Sequence, residues 1–376
     1  MRWWDGKLRV SLRAIACLVV CLLFLTACSD VPDSPLAPSP TPPPASTTSP
    51  AATPRPPRAS PTARPTTQPL PVATPDGTTG VVIATPGPIE LDSACLDAGE
   101  GRSTPAPGDV RFRPTSDPIE LPKPFKPSPF IEDEALQRAI ADILGDQASN
   151  YAFVIKDLRT GHGVTHNEGL VFNAASIFKL WIMYDAFLQH DQDVLDWDTE
   201  FVVTLYYDAF ALSPRSTELC QKLSVAEAMD AMLSVSDNAA AVMLQDIVGA
   251  GNINNALAAF GIADSGLYTE GLPITAQDVA LLLEAIGRGE AVSRAASADM
   301  LQLMSREVLD NGLAAGVPRG VPVAHKTGNW GDATHDAGIV FAPSGPYVFV
   351  ALTSNGYETS RINAVSEAVY GHFGNR

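Results

Sequence analysis

Basic residues are scarce in this chain. Lys and Arg number 25 against 42 Asp and Glu, for a formal net charge of -17. Nucleic-acid binding needs a basic face for the phosphates, so no nucleic-acid partner is expected, and the acidity is mainly a solubility property. Metal ligands are thin as well. The 6 histidines show no metal-ligand spacing, and the two cysteines beyond Cys28, Cys95 and Cys220, lie 125 positions apart. No metal and no cofactor are expected. There is no internal repeat. The apolar run at the N-terminus, Ala14 to Ala27, has 14 residues, short for a transmembrane helix.

That run follows Arg2, Lys7, Arg9 and Arg13 and reads as a secretory signal. It ends in Leu25-Thr26-Ala27-Cys28, which resembles the bacterial lipobox. The resemblance implies cleavage before Cys28 and lipidation of its thiol, with the protein lipid-anchored to the membrane on the extracytoplasmic side. An uncleaved anchor and an ordinary cleavage site are the alternatives. Cys17 and Cys21 leave with the signal, so Cys95 and Cys220 remain. Outside the cytoplasm two leftover thiols often pair, and a Cys95–Cys220 disulfide is the expectation; two unpaired buried thiols are the alternative.

Prolines, 32 in all, are unevenly placed. Val31 to about Gly80 is Pro, Ser, Thr and Ala with almost no large apolar residue, a composition that cannot bury a core. Residues 28–129 therefore read as a tether, with short extended pieces at Val81-Val82-Ile83 and Val110-Arg111-Phe112. Residues 130–376 read as the folded domain. Its pattern opens with a helix over Glu132 to Leu144 and strands over Tyr151 to Leu158 and His162 to Asn167. A helix carrying Ile177, Phe178, Leu180, Trp181, Met183, Tyr184 and Phe187 follows. Capping boxes at Ser224 and Thr275 open two further helices, with helices also over Ala239 to Val248, Ile253 to Phe260 and Ala298 to Val308. The period then returns to two over Val321 to Thr327, Ala337 to Ala342 and Tyr347 to Thr353, and Ser360 to Phe373 closes the chain as a helix. The order predicts an α+β fold: a five-stranded antiparallel sheet flanked by the N- and C-terminal helices, with an all-helical block inserted between its halves.

Ser176 sits at the start of the central helix with Lys179 three residues on, on the same face. A hydroxyl beside an amine is a nucleophile beside its base, and burial makes the neutral amine accessible. Ser-x-x-Lys is weak alone. Ser236-Asp237-Asn238 alone reads as a helix cap, and Lys326-Thr327-Gly328 alone as a strand end. In this order the three motifs resemble those of the class A serine β-lactamases and penicillin-binding proteins.

The resemblance implies a role for each residue. Ser176 would attack an amide carbonyl, Lys179 would move its proton, and Ser236 would relay a proton to the leaving nitrogen. Asn238 would hold a substrate side-chain amide, and Lys326 and Thr327 would bind the substrate carboxylate. Gly328 would let substrate approach the strand, and the backbone N–H groups of Ser176 and Asn329 would hold the oxyanion. Tyr206, Tyr207, Trp330 and His335 are cleft-lining or packing residues. One departure stands out. Class A β-lactamases carry a loop Glu that activates the deacylating water, and the short connection from Phe260 to Thr275 contains no Glu-x-x-Leu-Asn. Glu270 is the one Glu there; it is a substitute base or a solvated loop acid. The expected function is a serine acyl-enzyme hydrolase opening β-lactam amides, with slow deacylation. The first alternative is a D-Ala-D-Ala carboxypeptidase or transpeptidase acting on peptidoglycan stem peptides, and the second a binding module for β-lactams or wall fragments. The partners expected are a small β-lactam or stem peptide and, through the lipid, the membrane.

Overall fold

The computed structural model describes residues 72–73, 79–80, 119–267 and 271–374. The chain divides into two units, Met1–Thr85 and Pro86–Arg376. In the first, Val72–Ala73 pairs antiparallel with Thr79–Gly80, inside the stretch whose composition predicts no strand. The sequence between them contains Pro75-Asp76-Gly77, a run that favours turns.

The second unit is built on one sheet. Its strands are β1 (Ile131–Glu132), β2 (Tyr151–Asp157), β3 (His162–His166), and three C-terminal strands β8 (Val323–Trp330), β9 (Ala333–Ala342) and β10 (Gly345–Thr353). The spatial order is β8-β9-β10-β2-β3-β1. The sheet thus has six strands where the sequence predicts five, and β1 pairs parallel to β3 while the other pairings are antiparallel. Two residues cannot display a period, so β1 leaves no pattern to read. Helix α1 (Glu134–Leu144) starts at the N-cap Asp133, whose side chain accepts from the Leu136 N–H.

Alternation along the strands builds two cores. Tyr151, Phe153, Ile155, Phe349 and Ala351 pack with α1 and with the closing helix α9 (Ser360–Phe373). Ala152, Val154, Val350 and Leu352 face the helical block. That block holds α2 (Lys179–Asp191), α3 (Leu205–Asp208), α4 (Val225–Ser234), α5 (Asn238–Val248), α6 (Ala250–Phe260), α7 (Ala276–Arg288) and α8 (Arg294–Met304). Helix α2 is its axis: Lys179 to Gln189 are all buried, as expected of a helix that is apolar nearly all round. Both predicted boxes start helices, but only one is reciprocal. Ser224 and Glu227 each accept from the other's N–H. The Thr275 side chain accepts from the Asp278 N–H, whereas the Thr275 N–H donates to Ser265 Oγ, and the Asp278 carboxylate is held by Asp264 and Ser265. Helix α8 begins earlier than its apolar pattern, because Ser293 caps it by accepting from Ala296. Two short ladders escape the sequence pattern. One pairs β4 (Phe172–Asn173) with β7 (Pro273–Ile274), the other β5 (Glu200–Val202) with β6 (Lys222–Ser224).

Packing begins ahead of Phe130. The Phe125 ring stacks on Phe260 at 5.5 Å between centroids, and its N–H donates to the Phe260 carbonyl at 2.8 Å. Ser128 donates to Glu284 from both N–H and Oγ at 2.7 Å. Glu284 also accepts from Lys156 at 2.7 Å in a buried ion pair. Burial alone would raise the Glu284 pKa, but the bonds from Lys156 and Ser128 outweigh it and hold it below the usual range. Sheet, helix α7 and entering segment thus meet at one carboxylate. Glu284→Ala leaves Lys156 buried and unpaired, and should cost about 3–5 kcal/mol of stability; urea unfolding of the wild type and variant measures it.

Candidate active site

Strain marks the turn that carries Ser176. Ser176 lies in a 3-10 turn, Ala175–Phe178, that runs directly into α2. The helical start predicted there is thus one tight turn ahead of the α-helix proper. Ala175 before it has φ +44, a conformation that costs a non-glycine residue of order 1–3 kcal/mol. Two contacts hold it. The Asn173 side-chain oxygen accepts from the Ala175 N–H at 2.9 Å, and the Ala174 N–H donates to the Leu272 carbonyl at 2.7 Å. His335 supports Asn173 in turn. Its Nδ1 accepts from the Thr353 N–H at 3.2 Å, so Nε2 carries the proton and donates to the Asn173 carbonyl at 2.7 Å. Burial pushes the His335 pKa down, which keeps it in this neutral form. His335 is therefore a buried brace under the turn and does not line the cleft.

Lys179 begins α2 and is fully buried. Its amine lies 2.6 Å from the Ser236 carbonyl, 2.7 Å from Asn238 Oδ1 and 3.0 Å from Ser236 Oγ. A neutral amine has two protons to donate. The carbonyl and the amide oxygen can only accept, so in that form the lone pair is left for a hydroxyl proton. Burial first, and the Lys326 charge second, lower its pKa to about 7. Ser236 stands at φ +59, just before Asp237, the N-cap of α5. Asp237 was read only as part of a motif, and it proves to be the clamp of that turn. Its buried carboxylate accepts from the N–H groups of Ser216 and Thr217 and the Thr217 hydroxyl, at 2.8–3.0 Å. Burial would raise its pKa, but these bonds and that from Ala240 hold it low.

The third motif lies inside a strand. Strand β8 runs on past Gly328 to Trp330, paired with β9 throughout, so this glycine marks a close approach instead of a turn. A Cβ built on Gly328 would lie 3.2 Å from the Ser176 nitrogen and the Ala174 carbonyl oxygen, and 3.1 Å from Ile177. The strand therefore backs directly onto the Ser176 turn, with Asn329 next and exposed. Lys326 is fully buried, as is the Glu307 side chain, and the two form an ion pair. The Lys326 ammonium also donates to the Thr327 carbonyl at 3.2 Å. Thr327 itself is 3% exposed. Glu307 follows α8 in a turn, and no pattern in the sequence singles it out.

The structure thus brings Ser176, Lys179, Ser236, Asn238, Lys326 and Gly328 to one place, where β8, α2 and the start of α5 meet. Tyr207 packs in the helical core and its hydroxyl donates to Asp246 at 3.3 Å. Tyr206 packs edge-on against it, and Trp330 is 60% exposed. Cys220 is disulfide-bonded. Cys28, Cys95 and Glu270 lie outside the described residues. Among the described residues no cluster of His, Cys, Asp and Glu could hold a metal ion, and no helix is long and apolar enough to cross a membrane.

Residues 135–373 match the model of the β-lactamase enzyme family. The chain belongs to that family. Among solved structures, it is similar to PBP-A at 26% identity and TM-score 0.61, covering 66% of this chain and 99% of that one. A PBP-A mutant solved as an acyl-enzyme complex with penicillin G matches at 26% identity and TM-score 0.61, over 65% and 98% of the two chains. The β-lactamase of Sphaerobacter thermophilus shares the fold at 22% identity and TM-score 0.59, over 64% and 97%. Among curated protein sequences none matches. Family and fold are those of the serine β-lactamase and penicillin-binding protein superfamily, and the α+β architecture read from the sequence stands.

Gly328→Ala tests the contact between strand and turn. Its methyl must push the backbone of the Ser176 turn by a few tenths of an ångström. Since a displacement of about 1 Å can cost ~100-fold in rate, labelling of Ser176 by an acylating probe should slow by about tenfold. Stopped-flow labelling measures it.

Proposed function

We propose that this protein is a serine acyl-enzyme hydrolase that opens the amide bond of β-lactams through Ser176, and that it releases the acyl group slowly. The observation that carries this reading is the Lys179 amine: buried, held by Ser236 and Asn238, and poised with a pKa of about 7 one helical turn from Ser176. The penicillin G acyl-enzyme of a 26% identical neighbour supports the substrate class.

Each residue has a step. Ser176 Oγ attacks the lactam carbonyl carbon as Lys179 takes its proton. The oxyanion forms between the N–H groups of Ser176 and Asn329. As the carbon–nitrogen bond breaks, Lys179 returns its proton to the leaving nitrogen through Ser236 Oγ, which lies 3.0 Å from the amine. The ester on Ser176 then waits for water. Glu270 is the base proposed for that step. Two residues on, the Leu272 carbonyl accepts from Ala174 beside the nucleophile, which supports a loop that serves this site. A D-Ala-D-Ala peptidase or transpeptidase is the second reading, favoured by the likeness to PBP-A and by the missing Glu-x-x-Leu-Asn.

The same reading carries a location. The lipobox-like Leu25-Thr26-Ala27-Cys28 supports a lipid on Cys28, and disulfide-bonded Cys220 supports its pairing with Cys95. Intact mass of the protein extracted from membranes reads both: a diacylglyceryl adduct at Cys28, and no free thiol among Cys95 and Cys220.

Benzylpenicillin should add as a penicilloyl group to Ser176 and persist for minutes or longer, while Ser176→Ala stays unlabelled. Time-resolved mass spectrometry follows it; an adduct lost within seconds as penicilloate accumulates would overturn slow release, and no adduct would overturn the reading altogether. Acylation needs neutral Lys179, so its rate should rise with pH with a midpoint near 7 and be lost as pH falls below that. A rate flat from pH 5 to 9 would remove Lys179 as the base.

A further inference from the structure

The buried pair at the end of the third motif has a consequence for substrate charge. Lys326 stands where a substrate carboxylate would be expected to bind, yet its ammonium is already spent. Glu307 Oε2 holds it, with both side chains fully buried. The second Glu307 oxygen, Oε1, is buried and has no hydrogen-bond partner among the described residues. A carboxylate arriving at this end therefore meets an attraction from Lys326 and a repulsion from Glu307 of similar size. Two like charges brought together in a dry site cost several kcal/mol, so net charge gives the incoming carboxylate little help.

The neighbouring charges do not restore a positive field. Lys179 from α2, Asp237 from the α5 cap, His325 and Asp336 from β8 and β9, and Asp310 and Arg319 from the loop lining the cavity beside Glu307 are the charged and titratable groups around the pair. Arg319 is exposed, so its charge is screened by water and salt. His325 Nδ1 lies 2.8 Å from Asp336 Oδ1, and Asp310 approaches its other ring nitrogen at 3.6 Å. Its burial is outweighed by Asp336, which keeps its pKa raised, so its charge is matched as well.

We propose that Glu307 is the specificity-determining residue of the Lys326 end of the cleft, making that end nearly neutral so that substrates bearing an uncharged group there react about as well as those bearing a carboxylate. This rests on the acyl-enzyme reading above. Glu307 also acts on the base. Lys326 lowers the Lys179 pKa and Glu307 raises it. Burial lowers the Lys326 pKa while Glu307 and Asp336 raise it. With Asp336 still holding the Lys326 proton, removing the Glu307 charge uncovers that ammonium and drives the Lys179 midpoint down.

The experiment compares the acylation rate constants of benzylpenicillin and its uncharged methyl ester on wild type, Glu307→Gln and Glu307→Asp. The acid-to-ester ratio should lie near one in the wild type. It should rise about tenfold or more in Glu307→Gln, where Lys326 is freed to pair with the substrate, and return toward the wild-type value in Glu307→Asp. Because each ratio is taken within one variant, partial loss of folded protein cancels. A ratio that Glu307→Gln leaves unchanged or lowers overturns the proposal. If neither compound acylates the wild type, the acyl-enzyme reading fails first, and a 13C-lysine NMR titration then decides the matter of Glu307. A Lys179 midpoint that falls in Glu307→Gln upholds the charge role, and one that does not move overturns it.

Discussion

An amine removed from water, with its hydrogen bonds still made, is the constraint on which this structure rests. Lys179 keeps three polar partners while its chain packs in the helical core. Burial by itself would make the charged form expensive. The partners are two oxygens of the Ser236 turn and one of Asn238, so the cost of burial falls on the proton more than on the fold. That balance brings the pKa to about 7. It also explains why α2 must be the buried axis of the block. A surface helix would leave the amine wet and charged, without the neutral form that the proposed reading needs. The positive φ at Ala175 and Ser236 falls on the two sides of the same amine. Backbone strain is thus gathered at the turns that carry the two serines, and the bonds accepted by Asn173 and Asp237 hold it there.

Charge in the surrounding shell is arranged in matched pairs. Lys326 is set against Glu307, His325 against Asp336, and Lys156 against Glu284, each buried. Pairing of this kind adds little net stability over apolar packing, because desolvation offsets attraction. For the Lys326–Glu307 pair, the effect is to set the potential at Lys179; Lys156 and Glu284 instead tie the sheet to α7 and the entering segment. An unpaired Lys326 would depress Lys179 further and leave more of it neutral. With Glu307 present the two influences oppose each other, and the base stays near neutrality.

The sequence displays this design unevenly. Elements with a long period are legible: α2 through its apolar run, β9 and β10 through alternation, α4 and α7 through their capping boxes. Elements of two or three residues, such as β1 and the β4–β7 ladder, have no period to display. Gly328 reads as a turn because glycine usually marks one. Only the packed turn behind it shows that the strand continues and that the missing side chain is a clearance. In the site, motif residues are legible because chemistry fixes their types and spacing. Their supports are not. Glu307 lies 19 residues before Lys326, and His335 lies 162 residues after Asn173. Each is an ordinary residue until the fold brings it to its partner. The segment from Phe125 to Ser128 was hidden by its prolines, although its Phe125 is the residue that docks it.

The β4–β7 ladder carries the argument from acylation to release. It pairs Phe172 with Ile274 and Asn173 with Pro273, and the Ala174-to-Leu272 bond extends it by one residue. The connection between α6 and α7 is thereby tied to the chain two residues before the nucleophile. Its described end, from Leu272 on, is tied to the Ser176 turn. On the proposed reading, water activation and placement of the nucleophile would share this tie, and a longer loop carrying a dedicated base would have to preserve the ladder. This coupling supports slow release on that reading: the chain that braces the Ser176 turn is also the chain that would carry the deacylating base.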